Sequence, residues 1–205
     1  GNLVSIFFES SGLYSNKENY RLNKNLGGGI LNDMACYVIN LANRLNASEI
    51  KNISGDFFDL QKSGVETTAF LSIVYKDNFF VHGLISYDML PKSLLTINFE
   101  RGRFSMKNFI TSSLNSKILI QTILPKPKSR IVRKIYSLLK KIHLIKNSNV
   151  LIKNIKSKNP YELMFDEYSQ IVKNKTINPS VNNAKILKQF RLMNKFRALK
   201  NSQIS

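Results

Sequence analysis

Asp33, Tyr37, Asn40 and Arg44 follow one another at steps of four, three and four residues, the spacing that gathers side chains on one face of a helix. A tyrosine and an aspartate one turn apart suit proton transfer to a carbonyl or from an alcohol. The phenol donates the proton and the carboxylate holds or polarises the donor. An ordinary polar helix face has the same spacing, so the pair by itself leaves both readings open. Immediately upstream, Gly27, Gly28 and Gly29 allow backbone conformations that other residues resist, and let a second backbone or a ligand come close to the helix start. A flexible entry loop is the plainer reading of the same glycines. They do not form a G-x-G-x-x-G fingerprint, and no βαβ unit with a downstream acidic residue accompanies them, so they are not a dinucleotide site in themselves.

The elements that must position these residues follow from periodicity. Residues 2 to 9 read as a strand and the polar stretch from Ser10 to Asn25 as a loop. Leu31, Met34, Ala35, Val38, Leu41, Ala42 and Leu45 recur at helical spacing, which predicts a helix over about 29 to 46. Short β-rich runs follow at 49 to 59, 65 to 76, 79 to 88, 93 to 99, 103 to 109 and 116 to 123, with turn residues at Lys76-Asp77-Asn78 and Glu100-Arg101-Gly102-Arg103. Such breaks predict a meander in which strands pair antiparallel with their sequence neighbours. Beyond Pro125 and Pro127, residues 129 to 146 carry an amphipathic helical pattern, 149 to 155 a short strand, and Asn159-Pro160-Tyr161-Glu162 opens a helix to about Lys173. A last helix begins after Pro179-Ser180, runs through Ile186, Leu187, Phe190, Met193 and Leu199, and frays beyond Asn201. The fold class expected is α+β: a mostly antiparallel, open-faced sheet of about six or more strands with helices on one face, in a single domain spanning 1 to 205.

Composition narrows the function classes. The net charge is +18, but residues 1 to 125 hold 12 basic and 10 acidic side chains, whereas residues 126 to 158 hold 11 basic and none acidic. Lysines outnumber arginines 23 to 8, and a duplex-binding surface favours arginine for bidentate contacts, so nucleic acid is not the expected partner. The basic segment at 126 to 158 could lie on an anionic membrane surface. The favoured reading is that its apolar face packs on the domain and its lysines are solvated. Cys36 is the single cysteine and the two histidines, His82 and His143, lack a third ligand at suitable spacing, so no metal site is expected. One cysteine and no apolar run near eighteen residues point to a cytoplasmic protein without a membrane span.

Tyr20-Arg21-Leu22 followed by Leu26-Gly27-Gly28-Gly29-Ile30-Leu31-Asn32-Asp33-Met34-Ala35-Cys36-Tyr37 resembles the C-terminal domain of the Gfo/Idh/MocA oxidoreductases, whose pattern is R, GGG, L, D, G, then H or Y. Asn159-Pro160-Tyr161 and Phe165 resemble that family's closing segment. The resemblance implies that Asp33 is the site carboxylate and Tyr37 the acid/base position, as in the glucose-fructose oxidoreductase and dihydrodiol dehydrogenase branch. It puts Arg21 at the rim where substrate or cofactor is contacted, Asn40 with it among the groups that hold substrate hydroxyls, and Gly27, Gly28 and Gly29 among the cofactor-binding residues of the intact enzyme. Ala35 stands where the family usually has Gly, and Asn40 where Asp is frequent. The family's other half is a Rossmann domain carrying NAD or NADP and a lysine, and neither feature occurs in this chain. The implied function is the substrate side of an NAD(P)-dependent oxidoreductase acting on a sugar, polyol or nucleotide-linked sugar. This chain alone is expected to be inactive and to bind no cofactor, and a homodimer through the open sheet face is implied. The rival expectation is a non-catalytic dimerisation or scaffold domain whose basic segment binds an anionic membrane surface or polyanion.

Overall fold

A computed structural model describes residues 1–16, 18–109, 116–123, 148–155 and 179–204. The helices expected at 129 to 146 and at 160 to 173, and His143, lie outside the described residues. The strands are β1 (Leu3–Leu13), β2 (Ile50–Phe58), β3 (Thr68–Tyr75), β4 (Phe80–Ser86), β5 (Asp88–Phe99), β6 (Gly102–Lys107), β7 (Ser116–Ile123) and β8 (Ser148–Ile155). They form one sheet in the order β2-β3-β4-β1-β5-β6-β7-β8. Two helices, α1 (Ile30–Leu45) and α2 (Pro179–Ile204), pack against it.

The architecture is α+β, but the sheet is mixed, and β4 and β5 are not the neighbours that a simple meander requires. β1 lies between them, parallel to β4 and antiparallel to β5. A parallel pair needs a crossover connection, and the crossover from β1 to β4 consists of the turn segment, α1 and the β2–β3 hairpin. Only Tyr87 separates β4 from β5, so the first residues of β5 cross the end of β1. Leu13 pairs with Asp88 there, after a register shift from the Ser11–Lys92 pair. Tyr87 donates its N–H to Thr67 O and accepts from Tyr14 N, at 2.7 and 3.1 Å, which pins this corner beside the turn segment.

Alternation along the strands decides which face is covered. Ile6 and Phe8 of β1, Leu71 and Ile73 of β3, and Val81 and Ile85 of β4 point into the core. Ile30, Ala35, Val38 and Ile39 of α1 meet them, as do Leu192 and Phe196 of α2. Gly83 lets α1 come close, since a Cβ there would lie 3.0 Å from both methyls of Val38. The opposite face carries Phe7, Phe70, Phe80 and His82, whose rings touch one another across β1, β3 and β4.

His82 has a consequence for pH. Its Nδ1 is buried and has no hydrogen-bond partner among the described residues, and burial lowers its pKa from the ordinary 6.5. The folded protein therefore holds this proton less tightly than the unfolded chain, so acidification through the unfolded value favours unfolding. His82→Phe is expected to flatten the loss of unfolding stability between about pH 7 and about pH 5. Identical pH profiles by urea titration would remove this role.

Candidate active site

The segment from Asn19 to Gly29 is built by short-range hydrogen bonding. Asn19 and Asn23 cap two consecutive 3-10 turns, Tyr20–Leu22 and Lys24–Leu26, by accepting from Arg21 N and Asn25 N. Gly27 closes the second turn in the left-handed region at φ 74°. Gly28 N then donates to Asn23 O and Gly29 N to Arg21 O, at 2.9 and 2.8 Å. The chain is thus folded back so that Arg21 lies beside the first turn of α1.

Each glycine of the triplet has a distinct reason. Gly27 is exposed, with open space where a side chain would go. A Cβ on Gly28 would lie 2.6 to 2.8 Å from the carbonyl oxygens of Arg21, Tyr20 and Asn23. Gly29 combines φ 112° with a Cβ position 2.5 Å from Glu66 Oε1, so a side chain there meets both backbone strain and a clash. The close approach at Gly28 and Gly29 is made by the chain's own groups.

Glu66 takes the place of an N-cap side chain, which Gly29 lacks. Its main-chain oxygen accepts from Ile30 N at 2.9 Å and its Oε1 from Leu31 N at 3.2 Å, satisfying donors that a helix start leaves unpaired. Its other oxygen pairs with Lys200 Nζ of α2 at 2.7 Å.

Asp33, in the first turn of α1, receives two hydrogen bonds on one oxygen. Arg21 Nε donates to Oδ2 at 2.9 Å and Tyr87 OH donates to the same atom at 2.8 Å. The guanidinium of Arg21 also lies over the rings of Tyr20 and Tyr14, 4.7 and 5.3 Å from their centroids, and Tyr14 meets Tyr87 edge-on at 5.1 Å. Burial opposes the Arg21 cation, but the hydrogen bond to Asp33 and the charge of Asp33 outweigh it and raise its pKa. Burial first, then the hydrogen bond and charge of Asp33, push the Tyr87 phenol far above its ordinary 10.0. Tyr87 therefore stays a hydrogen-bond donor at any physiological pH. Cys36 is raised by burial and then by Asp33, which keeps it a thiol.

Tyr37 stands one turn beyond Asp33 with 44% of its surface exposed. Asn40 points elsewhere: its Nδ2 donates to Gln189 Oε1 of α2 at 3.0 Å, and its Oδ1 accepts from Arg44 Nε at 2.8 Å. The structure thus brings Arg21 and Asp33 together, places Tyr37 on the same helix one turn on, and engages Asn40 with α2. Tyr87, Glu66 and Lys200 escaped the sequence reading. The one signal for Glu66 was a carboxylate near the start of the strand run at 65 to 76; Tyr87 and Lys200 gave none. Among the described residues no three metal-ligating side chains gather, and no helix is long and apolar enough to cross a membrane.

The mixed α+β sheet, the glycine-entered helix and the arginine-held aspartate in its first turn are the features on which a domain family can be assigned. Residues 2–105 match the GFO/IDH/MocA C-terminal domain model, and the chain belongs to that family. No curated protein sequence matches it. Among solved structures it is similar to a 3-ketoreductase from Actinomadura kijaniata in complex with NADP and TDP-benzene, with a TM-score of 0.73 and 11% identity, covering 95% of this chain and 53% of that one. It is also similar to an aldose-aldose oxidoreductase from Caulobacter crescentus complexed with glycerol, at 0.72 and 15% identity over 98% of this chain and 55% of that one. A UDP-N-acetylglucosamine 3-dehydrogenase from Acidithiobacillus ferrooxidans matches at 0.63 and 8% identity, covering 85% and 48%. The chain spans about half the length of these structures, and at such identities the likeness is one of fold.

Proposed function

We propose that this chain is the substrate-side half of an NAD(P)-dependent oxidoreductase acting on a sugar, of the branch that uses a tyrosine for proton transfer. The observation that carries the reading is the Arg21–Asp33–Tyr87 cluster at the first turn of the helix that presents Tyr37. Names of similar structures, a ketoreductase, an aldose oxidoreductase and a nucleotide-sugar dehydrogenase, support a sugar-type substrate.

The dinucleotide, when bound to a companion Rossmann domain, supplies the hydride acceptor or donor. The described residues here offer proton chemistry and hydroxyl binding, and the cofactor's main site is assigned to that companion domain, as in the Rossmann-type dinucleotide fold. Tyr37 moves the proton at the substrate oxygen, and the carboxylate of Asp33, fixed by two donors on one oxygen, orients the substrate beside it. Arg21 holds Asp33 in place. The glycine turn sets the depth of the helix start.

The test is hydride transfer to or from sugars by a polypeptide that carries this domain with a dinucleotide-binding domain. Turnover that depends on Tyr37 and Asp33 is expected; turnover indifferent to both overturns the reading. The aromatic face of β1, β3 and β4 supports a homodimer, since apolar patches of this kind mark association surfaces. Phe70→Glu is expected to shift sedimentation from dimer to monomer, and an unchanged sedimentation coefficient would count against this face.

A further inference from the structure

A cleft of about 420 Å³ opens between the turn segment and the loop after β2, lined among others by Ser15, Asn23, Lys24, Gln61, Lys62 and Ser63. That volume suits a ligand group larger than a single sugar hydroxyl, within the range of about 300–1,000 Å³ typical of ligand sites. Among the described residues Lys24 and Lys62 both line it, no acidic residue does, and neither lysine forms a salt bridge. The carboxylate of Asp59 in the same loop is already committed: it accepts from Ser63 N, Ser63 Oγ and Gly64 N at 2.7 to 3.1 Å. Lys62 itself is held in the left-handed region at φ 55°, so its place in the loop is specified.

The cleft is linked to the candidate active site through a short chain of contacts. Gln61 Nε2 donates to Tyr14 O at 2.9 Å and to Asp88 Oδ1 at 2.8 Å. The Tyr14 ring in turn meets Arg21 and Tyr87, the two donors to Asp33. Asn23, one wall of the cleft, lies two residues beyond Arg21 in the same capped turn. The cationic, hydroxyl- and amide-lined recess is thus joined, through Gln61 and Tyr14, to the arginine that holds Asp33.

We propose that this cleft takes the diphosphate of a nucleotide-linked sugar, with Lys24 and Lys62 as its charge partners and the Asn23 side-chain amide as a neutral hydrogen-bonding group. The inference rests on the sugar-oxidoreductase reading, because it names the class of sugar. Lysine suits the role: it meets a mobile phosphate as a compact point charge without demanding bidentate geometry.

The test uses this chain and no turnover, so it fails or succeeds independently of the hydride-transfer experiment. UDP-glucose, inorganic pyrophosphate and glucose are titrated calorimetrically at constant ionic strength. Three proteins are compared: wild type, Lys24→Glu/Lys62→Glu, and a control of equal charge change, Lys51→Glu/Lys107→Glu. All four lysines are exposed, and melting curves verify that each variant is folded. Saturable binding of UDP-glucose is expected for wild type and control, weakened at least about tenfold in the cleft variant, with pyrophosphate competing and glucose silent. No saturable binding by wild type, or equal weakening in the control, overturns the proposal and assigns any residual anion affinity to net charge.

Discussion

Lys200→Met is expected to destabilise the domain by about 3 kcal/mol, read as a lowered urea midpoint at unchanged slope. Lys200 Nζ lies 2.7 Å from Glu66 Oε2, and the two side chains are 23% and 0% exposed. Removing one partner of a buried pair leaves an uncompensated charge, which costs about 3–5 kcal/mol, and the partial exposure of Lys200 sets this case at the low end. Water cannot reach Glu66 readily, because its carboxylate is enclosed by Gly29, Leu31 N and Lys200. The double variant Glu66→Gln/Lys200→Met should recover most of the loss. The glutamine keeps an oxygen for Leu31 N, and no bare charge remains. Equal midpoints for the single and double variants would show that the ion pair is not what holds α2 to the start of α1.

Most of the fold was legible where one local signal dominates. The helix over 29 to 46 emerged as Ile30–Leu45 because a 3.6-residue stripe is long and self-consistent there. The runs at 65 to 76, 103 to 109 and 116 to 123 emerged as β3, β6 and β7, and 149 to 155 as β8. The position of β1 was not legible. Nothing in Leu3–Leu13 says that it lies between β4 and β5, because that choice is made by the covering of both its edges and by the crossover through α1, which are properties of the assembled sheet. The run at 79 to 88 likewise reads as one strand, whereas Tyr87 interrupts it where the chain passes the end of β1.

At the site, the sequence disclosed the helix face and the glycines, and a wheel could not disclose what packs beside that face. Asn40 shares the angular position of Asp33 and Tyr37, yet α2 runs past that end of the helix and Gln189 meets it. The partners of Asp33 come from 12 residues upstream and 54 residues downstream. Arg21 was found through the family pattern. Tyr87 was not, since a tyrosine at a strand end has no spacing that points to an aspartate 54 positions away. The triplet narrowed in meaning: it read as room for a second backbone or a ligand, and at Gly28 and Gly29 that room lies against Arg21 O and Glu66.

Tyr37→Phe, placed in a polypeptide that joins this domain to a dinucleotide-binding domain, is expected to lower kcat/KM by about 10²- to 10⁴-fold, the usual contribution of a positioned proton-transfer group. The substitution keeps the ring on α1, and a melting curve measured alongside verifies that the variant is folded. Asp33→Asn should follow a different pattern. The amide oxygen can still accept from Arg21 or Tyr87, but the counter-charge of Arg21 is gone, so the rise in KM should be at least as large as the fall in kcat. Tyr87→Phe keeps the Arg21 pair and removes only the second donor, a hydrogen bond to a charged group worth about 1.5–3 kcal/mol in stability, so its kcat/KM should drop least. A ranking of Tyr37 before Asp33 before Tyr87 in kcat, with Tyr87 first in lost stability, separates chemistry from positioning. Should Tyr87→Phe reduce kcat as much as Tyr37→Phe at temperatures where both are folded, the proton would have to be assigned to the buried phenol. Its bond to Asp33 Oδ2 would then be the first link of a relay from Tyr87 to the carboxylate.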